Sequence, residues 1–228
     1  MKVALSLLFA RTLSKGSAIA VAAGIVSSIA GCGSSPPPQL YLLSSQARPP
    51  QTATPRQSID GSPRTSARLQ TSDPVSATIE VVVPEYLDSN KIIVRTDANE
   101  VKAVDNAQWA ENLFVTAART LAADIGTLLP ADDIVPMPSK IDRPVDYRIS
   151  VDLSKFESDT QGTAYIVGRW VITDTRNSQE RASARFAFST PTGMQSNQSI
   201  AVGMSNNLLA VSTQIANSLA EIEPTRRR

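Results

Sequence analysis

The most reactive side chain in this sequence belongs to Cys32, the single cysteine among 228 residues. A thiolate is a strong nucleophile, and this one directly follows Ile29, Ala30 and Gly31. The small residues let an extended backbone enter a peptidase groove, and the thiol can accept a diacylglyceryl group before the chain is cut. We therefore predict lipidation at Cys32, with Ile29, Ala30 and Gly31 as the residues that a signal peptidase recognises.

The residues before this cysteine have the order of a secretory signal, in which positive charge is followed by a short apolar segment. Lys2, Arg11 and Lys15 carry the charge, and the apolar run extends from Ala18 to Ala30. The run is shorter than the ~20 apolar residues that a membrane-spanning helix needs. The stretch resembles a lipobox, which favours a cleaved signal over the alternative of an ordinary cysteine in a signal anchor.

The composition excludes several classes of function. The chain has no histidine, so histidine acid–base catalysis, Ser-His triads and histidine-ligated metals are excluded. Its 22 basic and 21 acidic residues leave a net charge of +1, which gives no long-range field to attract nucleic acid. With one cysteine, no disulfide can form within the chain.

A hydrolase of envelope lipids or glycans is the enzymatic alternative, and it would need a serine with a base or paired carboxylates in one cleft. Glu111, Asp124, Asp152 and Asp174 are instead each expected at solvated positions of regular elements. Asp132 and Asp133 follow a proline but lack a third acidic neighbour, so they are a poor calcium site. We expect no catalytic residue, no cofactor and no metal.

Apolar periodicity predicts strands, a helix, more strands and a second helix. Alternation predicts strands at 77–83, 92–95, 100–104, 147–153, 163–173 and 182–188. A period of 3.6 predicts a helix from Trp109 to Leu128, capped by Asp105 or Asn106 and stopped by Pro130, and a helix at Ile200–Ile222 closed by Pro224. These elements predict an α+β fold, a mainly antiparallel sheet with both amphipathic helices packed on one face.

The predicted organisation has four parts: a lipoprotein signal (1–31), a disordered lipidated tether rich in Pro, Ser and Arg (32–74), a folded domain (75–223) and a basic tail (224–228). The apolar patch Leu40–Leu43 has two alternatives, because it either joins the sheet or belongs to the tether. If it joins, only Gly33–Gln39 connects lipid to domain, ~20 Å in an extended chain.

Several segments resemble the PqiC/YmbA family of ABC-type transport auxiliary lipoproteins. They are Leu40-Tyr41-Leu42-Leu43, Val83-Pro84-Glu85-Tyr86-Leu87-Asp88, Ile93-Val94-Arg95, Asn106-Ala107-Gln108-Trp109-Ala110-Glu111-Asn112-Leu113, and Tyr147-Arg148-Ile149 with the later Phe156 and Trp170. Order and spacing agree from Val75 onward. The segment Ser44–Pro74 is longer than the connection usual in the family.

The resemblance implies a non-catalytic docking subunit at the periplasmic face of the outer membrane, held there by its N-terminal lipid. The implied partners are the membrane, an MCE-domain substrate-binding protein of an ABC system that moves lipids between two membranes, and further copies in a homo-oligomeric ring. Gly33, in place of an aspartate after the lipidated cysteine, favours sorting to the outer membrane. The alternative from another class is a periplasmic lipid-binding shuttle.

The candidate interface is the loop of Pro84, Glu85, Tyr86 and Leu87, where the aromatic side chain of Tyr86 has two alternatives: contact with a partner or packing within the turn. Trp109 and Trp170 fall in amphipathic patterns, which indicates core packing more than an interface. Arg95 ends a predicted strand close to Asp97, and an ion pair between them is favoured over a lipid headgroup site.

Overall fold

The structure is a computed structural model that describes residues 37–49, 75–129, 133–140, 143–193 and 196–226. The signal residues and Cys32 lie outside the described residues. The described elements are β1 (Gln39–Tyr41), β2 (Ser76–Val82), β3 (Lys91–Asp97), β4 (Glu100–Trp109), α1 (Leu113–Leu128), β5 (Asp133–Pro136), β6 (Tyr147–Asp159), β7 (Thr163–Asp174), β8 (Gln179–Pro191) and α2 (Asn197–Arg226). A short 3-10 helix, Glu85–Leu87, connects β2 to β3.

One mixed sheet is built around β6. Along one edge β6 pairs with β7, which pairs with β8, and both ladders are antiparallel. Along the other edge β6 pairs in parallel with β2 near its start and with β3 near its end. Next to β2 lies β5, and next to β3 lie β4 and then β1. The sheet therefore divides into two branches, or forks, at this edge of β6. The prediction of a mainly antiparallel sheet holds for the two longest ladders, whereas β1, β2 and β5 have parallel partners.

Alternation along β6 separates a core face from a solvent face. Ile149, Val151 and Leu153 are buried, whereas Arg148 and Asp152, at the alternate positions, are exposed. The buried side chains join residues of both helices in one apolar cluster. Both helices therefore cover the same face of the sheet, as the apolar stripes predict.

The first helix starts later than its sequence predicts. Trp109 is the last residue of β4, and α1 begins at Leu113 after Asn112, whose carbonyl accepts the N–H groups of Val115 and Thr116. The predicted caps Asp105 and Asn106 lie within β4 instead. Trp109 is buried as expected, but it reaches the core from a strand, because pairing of β4 with β1 and β3 keeps the chain extended there.

The second helix is longer than predicted at both ends. The hydroxyl of Ser196 accepts the N–H of Ser199, so the helix is capped before the first apolar residue of its stripe. The helix ends at Arg226 and not at Pro224. The buried stripe is the predicted one: Met204, Leu208, Val211, Ile215, Leu219 and Ile222. Among the described helices, none is long and apolar enough to cross a bilayer.

The apolar patch near the start of the described chain belongs to the sheet. β1 pairs in parallel with the end of β4, with Tyr41 opposite Trp109, and Leu43 is buried in the core. Of the two alternatives for Leu40–Leu43, the structure therefore has the one in which this segment docks. The folded unit includes β1 as well as the chain from Val75 onward.

Candidate functional site

The predicted interface loop lies where the sheet forks. It turns through the 3-10 helix, in which the N–H of Leu87 donates to the carbonyl of Pro84 at 2.9 Å. Leu87 is only 1% exposed and anchors the loop in the core, whereas Glu85 and Tyr86 face outward. Of the four predicted residues, Leu87 thus holds the loop in place, and Tyr86, 38% exposed, supplies its apolar surface.

A buried carboxylate braces this loop from below. Glu157 on β6 is completely buried, and it accepts a hydrogen bond from the hydroxyl of Tyr86 at 3.1 Å. Its other oxygen is paired with the guanidinium of Arg95, and the ammonium of Lys155 lies 3.6 Å away. The prediction that Arg95 pairs with Asp97 is wrong. Arg95 of β3 is instead paired with Glu157 of the neighbouring strand β6, because this buried acid requires a cation.

The brace continues onto β7. The ammonium of Lys155 lies 4.5 Å from the ring centre of Tyr165, a cation–π contact. The hydroxyl of Tyr165 donates to Asp159 at 2.9 Å, and this carboxylate also accepts the N–H groups of Gln161 and Thr163. Side chains on β3, β6, β7 and the loop are thereby joined in one polar network.

The pKa shifts in this network stabilise the charge states that hold it together. Burial and the neighbouring carboxylate of Glu157 raise the pKa of Tyr86, which keeps its hydroxyl a proton donor. The hydrogen bond to Glu157 raises the pKa of Arg95. Burial opposes ionisation of Asp159, but hydrogen bonds from Thr163, Tyr165 and neighbouring N–H groups outweigh it and lower its pKa.

In this arrangement the buried carboxylate holds its neighbours in place. Its two oxygens are occupied by Arg95 and Tyr86. Arg95, Lys155 and Tyr86 surround Glu157, and Asp159, the other carboxylate of the network, accepts hydrogen bonds of its own. Within the described ranges, no group of three or more acidic or cysteine side chains is placed to hold a metal ion.

A second buried carboxylate connects the segment after β1 to the helices. Asp124 of α1 is completely buried, and one of its oxygens accepts the hydroxyl of Ser45 at 2.6 Å and the N–H groups of Gln46 and Ala47 at 3.0 and 3.1 Å. Its other oxygen lies 3.4 Å from the hydroxyl of Ser212 on α2. We call this set the Asp124 clamp.

Two expectations about carboxylates were wrong. Asp124 and Asp174 were predicted at solvated positions, but both are buried, and each has hydrogen-bond partners. Asp174 is paired with Arg176, whose hydrogen bond lowers the pKa of Asp174 to about 2. Asp152 is exposed as predicted. The signal for Asp124 was its position on the apolar stripe of α1, one residue before the buried Ile125.

The structure describes some of the remaining predicted residues and not others. Cys32 and its recognition residues Ile29, Ala30 and Gly31 are outside the described residues, as is Asp132. Asp133 starts β5 and is paired with an arginine, Arg143.

The space between sheet and helices is filled by the protein's own side chains. Large residues that are less than 2% exposed occupy it, among them Trp109, Tyr147, Phe156, Leu121 and Ile166. A shallow groove of about 650 Å³ lies instead over Gly168, on the strands β6, β7 and β8, lined by Asp152, Arg169 and Arg185. The helix-covered core is close-packed.

Solved structures with the same fold exist. Protein XCC0632 from Xanthomonas campestris has a TM-score of 0.60 at 16% identity, covering 83% of this chain and 99% of its own. An uncharacterised protein has a TM-score of 0.56 at 20% identity, covering 64% of this chain and 92% of its own. The PelC dodecamer from Paraburkholderia phytofirmans is a weaker match, with a TM-score of 0.36 at 12% identity and coverages of 62% and 88%.

The sequence itself matches one family model. No curated protein matches the chain. The model of the ABC-type transport auxiliary lipoprotein component matches residues 41–216, from the end of β1 into α2. The match includes the interface loop, Glu157 and Asp124. This chain therefore belongs to the family of ABC-type transport auxiliary lipoprotein components.

Proposed function

We propose that this protein is an outer-membrane lipoprotein that docks an MCE-domain substrate-binding protein of an ABC system, which moves lipids between the inner and outer membranes. It acts without catalysis, as a scaffold held by lipid on Cys32. The family supports the transport role and the lipoprotein character. Gly33 after the cysteine favours the outer membrane, and the MCE partner and a homo-oligomeric ring follow from the resemblance to PqiC/YmbA.

The observation that carries the docking role is the braced loop. A docking surface must keep its shape without its partner, because ordering a loop on binding reduces affinity. Tyr86 presents an exposed ring while its hydroxyl is held by the buried Glu157 and its neighbour Leu87 is held by the core. Aromatic side chains of this kind are typical anchors of protein interfaces.

Co-purification tests the partner. The detergent-solubilised protein is captured from an envelope extract of its source, and MCE-domain protein in the eluate is identified by mass spectrometry. We expect Tyr86→Ala to reduce the captured amount tenfold or more, consistent with about 2 kcal/mol for an aromatic anchor. Val202→Ala is the matched control, because Val202 is also an exposed apolar residue but lies on α2.

Three outcomes contradict the proposal. Capture that is equal in Tyr86→Ala and Val202→Ala removes the loop from the interface. A monomer that carries bound phospholipid and no partner supports the lipid shuttle instead. A Cys32→Ser variant that stays in the outer-membrane fraction overturns the lipid anchor.

A further inference from the structure

Two apolar side chains of the described chain are left in solvent beside its first strand. Leu40 is 63% exposed and Leu42 is 61% exposed, more than the other large apolar residues described. The cause is the period-two alternation of an extended chain, which directs Tyr41 and Leu43 toward the core and their neighbours away from it. Leu40 on β1 and Leu42 just after it are thus left uncovered by the described residues, and Leu42 also borders a groove that contains the Glu111–Arg119 ion pair.

A free positive charge lies on the same face. Leu40 is opposite Gln108 of β4, and Gln108 is opposite Lys91 of β3, so the three side chains form one row across three strands. Lys91 is exposed, and within the described part of the chain no carboxylate is paired with it. Apolar side chains next to an unpaired lysine are the composition of an interfacial membrane contact.

The chain length keeps this face close to the lipid anchor. Only six residues, Gly33–Pro38, lie between Cys32 and Gln39, the first paired residue of β1. They span at most about 25 Å when fully extended. β1 cannot move away to lengthen the tether, because its ladder to β4 and the Asp124 clamp hold it on both sides.

We propose that Leu40, Leu42 and Lys91 form a membrane-resting surface, in which both leucines enter the interface of the bilayer and Lys91 contacts anionic headgroups. The inference rests on the proposed lipid at Cys32. It goes beyond the docking role because it orients the domain, with the β1 edge toward the bilayer.

A lipid bilayer fits this surface better than a second copy of the chain. Two leucines and a lysine cover far less than the roughly 800 Å² per partner of a stable protein interface. A weak membrane contact is sufficient here, because an anchored chain experiences the bilayer at a high effective concentration. The charge of Lys91 also matches an anionic surface.

Site-directed fluorescence tests the proposal on the full lipidated chain. Because Cys32 carries the lipid, Leu40→Cys or Leu42→Cys introduces one free thiol, which is labelled with an environment-sensitive dye. The protein is placed in vesicles of phosphatidylethanolamine and phosphatidylglycerol with or without brominated acyl chains. Val202→Cys is the matched control on α2, and melting curves confirm that each labelled variant is folded.

We expect dyes at 40 and 42 to emit at shorter wavelength and to be quenched by brominated lipid about threefold or more relative to the dye at 202, as for side chains buried at the acyl boundary. Equal quenching at all three positions overturns the proposal. The proposal is also overturned if the emission of the dyes at 40 and 42 shifts to shorter wavelength as protein density rises but brominated lipid does not quench it. A second copy of the chain would then cover the surface.

Failure of this inference differs from failure of the proposed function. Intact mass of the same sample reports the acyl groups, and partner capture is measured separately. Acylated protein that captures its partner but shows no lipid quenching at 40 and 42 overturns only the membrane-resting surface. Protein without acyl groups overturns the anchor and this inference with it.

Discussion

Replacing Asp124 should release the segment that follows β1 without unfolding the sheet. One oxygen of Asp124 accepts three hydrogen bonds, two of them from the N–H groups of Gln46 and Ala47. A hydrogen bond to a charged group contributes about 1.5–3 kcal/mol. Asp124→Asn keeps the size and one acceptor oxygen but loses the charge, so we expect the clamp to weaken by about 1–2 kcal/mol.

Amide hydrogen exchange measures this loss directly. A local weakening of about 1–2 kcal/mol makes exchange at Gln46 and Ala47 roughly 5–30 times faster if both open by local unfolding. Amides in the middle of β6 should keep their rates, because the clamp is not part of that ladder. Asp105→Asn is the matched control, since Asp105 is an exposed carboxylate on β4.

Unchanged exchange at Gln46 and Ala47 in Asp124→Asn would refute this account of the clamp. Equal acceleration across the whole sheet would refute it differently, because it would show that Asp124 supports the global fold and not one segment. Dyes at Leu40 and Leu42 give a linked readout in membranes. A looser clamp should reduce the difference in lipid quenching between them and the control at Val202.

Three further predictions concern stability, each measured by denaturation of the detergent-solubilised protein. The pKa of Asp174 in the folded protein, about 2, lies below its ordinary 3.8, so the stabilisation by its ion pair is present above pH 4 and is lost as pH falls toward 2. Asp174→Asn should therefore reduce the loss of stability between pH 4 and pH 2, and an unchanged loss contradicts the pairing with Arg176. Glu157→Gln leaves the cations Arg95 and Lys155 beside a neutral group and should lower the free energy of unfolding by about 2–4 kcal/mol. Glu100→Gln removes one partner of an exposed ion pair and should change it far less, and equal effects contradict the structural role of Glu157. Gly168→Ala places a Cβ 2.2 Å from a backbone oxygen of β6 and should lower the free energy of unfolding by about 2 kcal/mol or more. Gly126→Ala has open space in a helix and should raise it by about 0.5–1 kcal/mol. The reverse order contradicts the close approach of β6 and β7 at Gly168.

Periodicity predicted most elements because β6 and β7 each have one buried face and β8 has a partly buried one. The meander of β6, β7 and β8 follows from alternation, and its strands extend beyond the predicted ends because backbone pairing continues where side-chain alternation stops. The register of β6 shifts between Leu153 and Lys155, and Gly168 permits the close approach there. This bulge explains why Lys155 and Glu157 lie on the face opposite Ile149, Val151 and Leu153.

The region around Trp109 could not be assigned from its own residues. Its apolar spacing fits a helix as well as a strand, and the choice depends on β1, which is more than 60 residues earlier in the chain. Backbone hydrogen bonds to a distant strand are worth more than local preference at such a boundary. The candidate interface loop was found from its sequence, but the roles of its members were not, since burial separates Leu87 from Tyr86.

By itself, the sequence determined the absence of histidine chemistry, the lipidation prediction at Cys32, the family and the apolar faces of the elements, because these depend on residue types and short spacings. Only the tertiary structure decided the partners of the buried carboxylates: Arg95, Lys155 and Tyr86 for Glu157, and the segment after β1 for Asp124. A buried charge must find its compensation in space: Lys155 is a near neighbour of Glu157 in the sequence, but the other groups lie 62 to 79 residues away along the chain.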